Sequence, residues 1–397
     1  MNIDLLFAIV FYGLLLVYFF RHRDKFQVQA KIFALYRTKL GLKLMDKIAK
    51  SCPRFLRLMG GISVVVGFGG MAFIFYFLIK GTFDLLFVAD AAPAVAPILP
   101  GIKILPGLPV LSFWHWIIAI FLVAVVHEFC HGIYAKLYDI PVKSSGFAFL
   151  GPILAAFVEP DENVMKKKKK YVQLALFSAG PFSNLVMGVL FMLLLNLVFI
   201  PANAFVYEQD GVTVNKLLEG YPAAALGIEA PFTIIGVNGK DTRSVSAFVN
   251  VTQEVKPGDS ITLLTDKGEY AVKTVENPDN KSRPFIGISE LEVKTKPKEA
   301  VVNKYGSFVP KVFSWTHLLV FWMVVVSVGV GLFNLLPLGP IDGGRMFLTG
   351  AELLMKPERA KKVWSIISFF GLLLIFVNIV PYLWKLLLFM VKPLTGA

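Results

Sequence analysis

Hydrophobic positions in this chain fall in long unbroken blocks, not in the short periodic stripes of a water-soluble protein. A helix crosses a bilayer with about 20 mostly apolar residues. Six blocks meet that requirement: Ile3–Phe20, Ile62–Ile79, a third from Leu111 through His131, Val172–Ile200, about His317–Leu338, and Val363–Tyr382. An apolar tail, Leu383–Val391, follows Pro381 and reads as a bent continuation or an interfacial segment. One stretch, about Asn203–Lys304, has a different texture: polar, punctuated by Gly, rich in Val, Thr and Ile. Strand-like runs lie at Gly211–Leu217, Phe232–Val237, Ser260–Thr265, Glu269–Val275 and Pro284–Ser289, with turns at Asn238-Gly239, Lys256–Asp259 and Asp266–Gly268. Short helices are predicted at Pro222–Leu226 and Val245–Glu254. Such alternation predicts one small β-rich domain.

Composition narrows the class. Of 397 residues, 56% are hydrophobic and 17% charged, against about 25% charged in soluble domains. A soluble enzyme is excluded, and 36 Phe with 12 Tyr exclude a disordered chain. Cys52 and Cys130 are too few for a disulfide framework or a cysteine-rich zinc site. The net charge of +13 does not point to nucleic acid, because the basic residues sit where they orient membrane spans. Arg21–Leu58 holds eleven Lys/Arg against Asp24 and Asp46. Lys136–Lys170 and Arg345–Lys362 are likewise basic, whereas Lys80–Val110 has only Lys80 and Lys103. Alternating six spans puts all three basic segments in the cytoplasm, and the N-terminus and β-rich domain outside. The first block has no positive residues ahead of it and a positive flank behind, so it is a span and not a cleavable leader. The expectation is a multi-pass cell-membrane protein with the lipid bilayer as a partner. The outer segment Lys80–Val110 carries five prolines, cannot be helical throughout, and is expected to lie along the membrane or cover a cavity.

Chemistry enters with ionisable residues inside a span, which are costly and functional by default. The third block contains His127-Glu128-Phe129-Cys130-His131. Residues i and i+4 share a helix face, so His127 and His131 can aim two imidazoles at one ion. Glu128 lies about 100° around the helix and reaches a water on the metal without being a ligand. This is the H-E-x-x-H pattern of zinc hydrolases. A catalytic zinc takes three protein ligands and keeps one position for water. The fifth block ends in Asn334-Leu335-Leu336-Pro337-Leu338-Gly339-Pro340-Ile341-Asp342-Gly343-Gly344-Arg345. A broken helix at membrane depth is tolerated where it lines a cavity, so Asp342 can supply the third ligand. Its alternative is a turn or cap aspartate.

H-E-x-x-H in a span, followed more than 200 residues later by N-x-x-P-x-x-x-x-D-G, resembles the site-2 protease family of intramembrane metalloproteases. The matching residues are His127, Glu128, His131, Asn334, Pro337, Asp342 and Gly343, with a weaker match at Gly180-Pro181-Phe182-Ser183-Asn184. The resemblance covers about Leu111–Arg345. It implies that His127, His131 and Asp342 hold one Zn2+, that Glu128 is the catalytic acid/base, and that Asn334 sits near the reacting carbonyl, with a helix cap as its plain alternative. Asn184 is assigned to substrate binding, with interhelical packing as the alternative. The implied activity is hydrolysis of peptide bonds within transmembrane segments of other membrane proteins. Tethered transcription regulators or anti-sigma factors, already shortened by another protease, are the implied substrate class.

The implied fold class is a polytopic α-helical membrane protein with a membrane-associated β-hairpin and an inserted PDZ-like domain. Its parts are residues 1–110 as an N-terminal two-span extension, 111–202 and 305–345 as the two halves of the catalytic core, 203–304 as the PDZ-like domain, and 346–397 as the last loop and span. After the H-E-x-x-H block, Ser144–Val158 reads as a hairpin turning near Gly151-Pro152. Gly146, Phe147, Phe149 and Gly151 are the candidates there for binding an unwound substrate by strand addition; a packing loop is the alternative. In the inserted domain, Arg283–Ile288 resembles a peptide-carboxylate loop, which makes Phe285, Ile286 and Gly287 candidates for holding a peptide beside the helix at Val245–Glu254. The domain either binds peptide or excludes bulky ectodomains. A metal transporter would need acidic or His ligands in several spans, but His115 and His317 stand alone. A non-catalytic scaffold predicts that Glu128→Gln changes nothing.

Overall fold

The computed structural model describes residues 3–23, 26–29, 33–89, 91–101, 108–150 and 153–395. Gly151 and Pro152, and with them the hairpin turn, lie outside the described residues. The chain divides into two compact units: Met1–Ile104 with Val110–Leu194 and Leu318–Ala397, and Leu195–His317 with Leu105–Pro109.

In the first unit, α1 is Ile3–Arg21, β1 Phe26–Gln29, β2 Phe33–Thr38, α2 Leu42–Ser51, α3 Pro53–Phe87 and α4 Phe113–Leu137. Then follow β3 Val142–Leu150, β4 Ile153–Pro160, α5 Glu162–Lys167 and α6 Lys170–Leu194. Among the described residues, six helices are long and apolar enough to cross a membrane, beginning with α1, α3, α4 and α6. Helices suit this environment because every backbone polar group pairs within the segment. The last, α12 (Pro357–Thr395), runs on through Pro381. The apolar tail is therefore part of the sixth helix and not a separate segment, as proline is tolerated in membrane helices.

The basic segment after α1 is folded. Strands β1 and β2 join β3 and β4 in an antiparallel sheet of order β1-β2-β3-β4. Helix α2 buries Met45 and Ala49 and turns Lys43, Lys47 and Lys50 outward. This sheet corrects the reading of the hairpin. β3 pairs on both sides, with Arg37 opposite Gly146 on one edge and Phe157 opposite it on the other. Gly146, Phe147 and Phe149 therefore cannot receive an added strand. A Cβ on Gly146 would meet the Tyr36 carbonyl and the Phe157 ring. Phe147 packs on Phe121 of α4, and Phe149 on Phe26. Of the two hairpin strands, β4 is the one paired on a single side among the described residues.

The described part of the proline-bearing segment is fastened to the helices. Ala94 N–H donates to Asn378 Oδ1 at 2.7 Å, and Asn378 Nδ2 donates to Thr82 Oγ1 at 2.6 Å, linking the segment to α12 and α3. Trp116 Nε1 donates to the Ile98 carbonyl at 2.8 Å.

In the second unit, a π-turn at Leu195–Phe199 leads through α7 (Ile200–Val206) into β5 (Tyr207–Leu217). A 3-10 turn at Pro222–Leu226, β6 (Phe232–Val237), β7 (Lys240–Asp241), α8 (Val245–Gln253), β8 (Ser260–Thr265), β9 (Gly268–Lys273), β10 (Val275–Glu276), β11 (Pro284–Phe285), β12 (Ile288–Pro297) and α9 (Glu299–Tyr305) follow. One antiparallel sheet runs β12-β5-β6-β8-β9, with β7 on β6, around a core of Val214, Phe232, Ile234, Ile261 and Leu263. The last expected strand splits at Gly287, whose φ of +84° only glycine adopts at little cost. Helix α10 (Phe308–Asn334) returns the chain to the first unit, and α11 (Asp342–Leu354) precedes α12.

Candidate metal centre and active site

His127 and His131 stand one turn apart on α4, both buried. Asp342 arrives from a distant part of the chain. α10 stops at Asn334, and residues 335–341 turn before α11 opens with Asp342 as its first residue. The two glycines after Asp342 make the turn tight. A Cβ on Gly343 would overlap the Leu335 and Leu336 backbone, and one on Gly344 the Leu338 carbonyl. The start of α11 thus lies directly on the turn, which carries the Asp342 carboxylate to the histidines.

Asp342 Oδ2 is 3.0 Å from His127 Nε2 and 3.1 Å from His131 Nε2, and the two Nε2 atoms are 3.1 Å apart. His131 Nδ1 lies 2.8 Å from the Leu176 carbonyl. A carbonyl only accepts, so Nδ1 carries the proton and, in the neutral ring, Nε2 is bare. Two imidazoles and a carboxylate oxygen converging in a buried place are a donor set that fits zinc, and a cation at their centre would satisfy all three.

These residues line a cavity of about 730 Å³ together with Glu128, Phe157, Val158, Asn334 and Arg345. Glu128 Oε2 accepts the Val158 N–H at 2.9 Å. Because that N–H bonds outward, Val158 faces the open edge of β4 and not β3. Sequence reading missed this contact, since nothing in the string pairs position 128 with 158. Asn334 Nδ2 donates to its own helix at Val330 O, 3.0 Å away, while also lining the cavity. Asn184 is not among the cavity-lining residues. It is fully buried, and its Nδ2 is 3.1 Å from His127 Nδ1. Its assignment to substrate contact is corrected: α6 packs it behind the histidine, away from the cleft.

Ion pairs rim the cavity. Arg37 reaches Glu159 at 2.9 Å, Lys143 reaches Asp161 at 3.2 Å, and Arg345 is 3.7 Å from Glu162 while lying over the Phe177 ring. Asp161 caps α5, and the Val164 N–H, with Lys143 beside it, holds its carboxyl below the usual aspartate range.

In the second unit, Phe285 and Ile286 border a cavity of about 190 Å³ with Phe248 and Thr252 of α8. Ile286 is largely core, and its carbonyl accepts the Ala223 N–H. Gly287 accepts from Leu218 N–H, and its α-carbon faces Tyr221 too closely for any side chain.

Comparison with known proteins places these features. Uncharacterized protein MJ0971 of Methanocaldococcus jannaschii is 29% identical over 382 residues, 93% of each chain. The zinc metalloprotease RasP of Shouchella clausii is 24% identical over 258 residues, 52% of this chain and 57% of RasP. A solved PDZ domain of an SdrC-like protein from Listeria innocua aligns with 20% of this chain and 92% of its own, at 28% identity and a TM-score of 0.19. The family model described as Peptidase family M50 matches residues 115–378, a span that takes in the histidine pair, Glu128 and Asp342. A multi-helix membrane chain carrying these residues in that order is thus a member of peptidase family M50, the site-2 protease family of zinc metalloproteases.

Proposed function

We propose that this protein is an intramembrane endopeptidase that uses one zinc per chain, held by His127, His131 and Asp342, to hydrolyse peptide bonds in transmembrane segments of other membrane proteins. The observation that carries the reading is the convergence of Asp342 Oδ2 on both Nε2 atoms at 3.0 and 3.1 Å, beside a glutamate in a polar-rimmed cavity. When bound, zinc supplies Lewis acidity and brings the pKa of water down to about 7.

The chain's own residues do the rest. Glu128 takes the proton of the attacking water on its carboxylate and delivers it to the leaving nitrogen. Asn334 gives one amide hydrogen to Val330; we assign its second to the substrate carbonyl oxygen, where charge develops. A helical substrate has its backbone groups paired and must be unwound. The open edge of β4 offers replacement bonds. Val158 N–H points outward, and strand alternation gives Ala156 and Leu154 the same orientation. A substrate strand added there lies alongside Glu128.

The rim supports access from the cytoplasm. Arg37, Lys143 and Arg345 come from the three basic segments that the positive-inside rule assigns to that side. By the same rule the N-terminus and residues 203–304 are extracytoplasmic. We assign residues 203–304 as a PDZ-like domain whose groove beside α8 takes a peptide or screens ectodomains. Regulated intramembrane proteolysis, after a first ectodomain cut, is the setting this implies.

The test is a reconstituted cleavage assay with single-span substrates. Glu128→Gln and chelator-treated protein are expected to lose about a hundredfold or more of the wild-type rate. Equal turnover in all three overturns the reading.

A further inference from the structure

Helix α6 lies against both imidazoles. Leu176, Gly180 and Asn184 recur every four residues and so share one face. At one end the Leu176 carbonyl accepts the His131 Nδ1 proton at 2.8 Å. At the other end the Asn184 amide lies 3.1 Å from His127 Nδ1. Gly180 sits between them, where a Cβ would overlap the Nε2 atoms of both rings. A neutral imidazole that turns Nε2 to a cation carries its proton on Nδ1 and needs an acceptor for it. As described, the amide has the opposite sense: its donor Nδ2 faces that nitrogen, while its acceptor Oδ1 is buried without a partner. Turning a carboxamide by half a revolution exchanges the two atoms at almost the same shape. Oδ1 then accepts from His127 Nδ1.

We infer that Asn184 is a positioning residue of the metal centre: its side-chain oxygen holds the Nδ1 proton of His127 and fixes the tautomer that offers Nε2 to the ion. This rests on the zinc reading above. His131 receives the same service from a backbone carbonyl, so the two ligands differ in a way mutation can reach.

The test compares zinc affinity, by chelator competition, in detergent-purified wild type, Asn184→Ala and Asn184→Asp. Cobalt absorption spectra and melting of the metal-free proteins are recorded alongside. Asn184→Ala is expected to bind zinc about 10- to 100-fold more weakly, with an altered cobalt spectrum and little change in metal-free melting. Asn184→Asp keeps an acceptor and is expected to match wild type or bind more tightly. Wild-type affinity in Asn184→Ala, or an equal loss in both variants, overturns the inference. If Asn184→Ala does not fold, Asn184→Asp decides alone: retained affinity supports the assignment and loss overturns it. A wild-type protein that holds no stoichiometric zinc would instead overturn the metal centre itself.

Discussion

Gly180 illustrates how much of this site is decided by single residues. It lies on α6 against both histidine rings, and even one methyl group there would occupy the space of their Nε2 atoms. Overpacking a filled interior costs about 1–3 kcal/mol. Gly180→Ala is therefore expected to weaken zinc binding about 10- to 100-fold and to lower cleavage in step. Competition with a chelator measures the first, and unchanged affinity would remove Gly180 from the account. Gly343 and Gly344 act in a related way. They are the condition for Asp342 to reach the histidines, because side chains there would push α11 off the 335–339 turn. In sequence Gly343 is part of the D-G motif and Gly344 follows it after a proline-rich stretch, and neither signals this close approach.

Among the elements, the spans and the H-E-x-x-H helix were legible because their signals are long or chemically rare. Twenty apolar residues in a row have few readings, and an ionised pattern inside them has fewer. The inner strands of the second unit were also legible, with Phe232–Val237 and Ser260–Thr265 matching the expected bounds. β1 and β2 were not. They are four and six residues long and set in a segment dense in Lys and Arg; β1 pairs with β2, and β2 with β3, more than 100 residues away. Without them β3 reads as an unpaired edge, whereas it is paired on both sides. With β4 as the edge, Val158 becomes informative. Proline is tolerated where a strand's N–H faces outward, so Val158→Pro should keep the sheet while removing the donor to Glu128. Hydrogen bonds to charged groups are worth about 1.5–3 kcal/mol. Cleavage is expected to fall about 10- to 100-fold with zinc content unchanged. A variant as active as wild type would rule out this edge.

At the scale of the whole molecule, charge and chemistry are arranged together. Each basic segment contributes one cation to the rim of the same cavity: Arg37, Lys143 and Arg345. The three basic segments therefore all border the site. A cysteine at position 345, in a background with Cys52 and Cys130 replaced, is expected to react with a membrane-impermeant maleimide from the cytoplasmic face only; labelling from outside alone would reverse the orientation. The cluster is assembled from α4 and α11: Asp342 lies 211 and 215 residues after the two histidines in the chain. X-ray absorption at the zinc edge of the purified protein tests that assembly most directly. The expected spectrum has one zinc per chain with imidazole nitrogen and carboxylate oxygen neighbours, and it disappears in Asp342→Ala. Absence of stoichiometric zinc, sulfur in its coordination sphere, or an unchanged spectrum in that variant would contradict it.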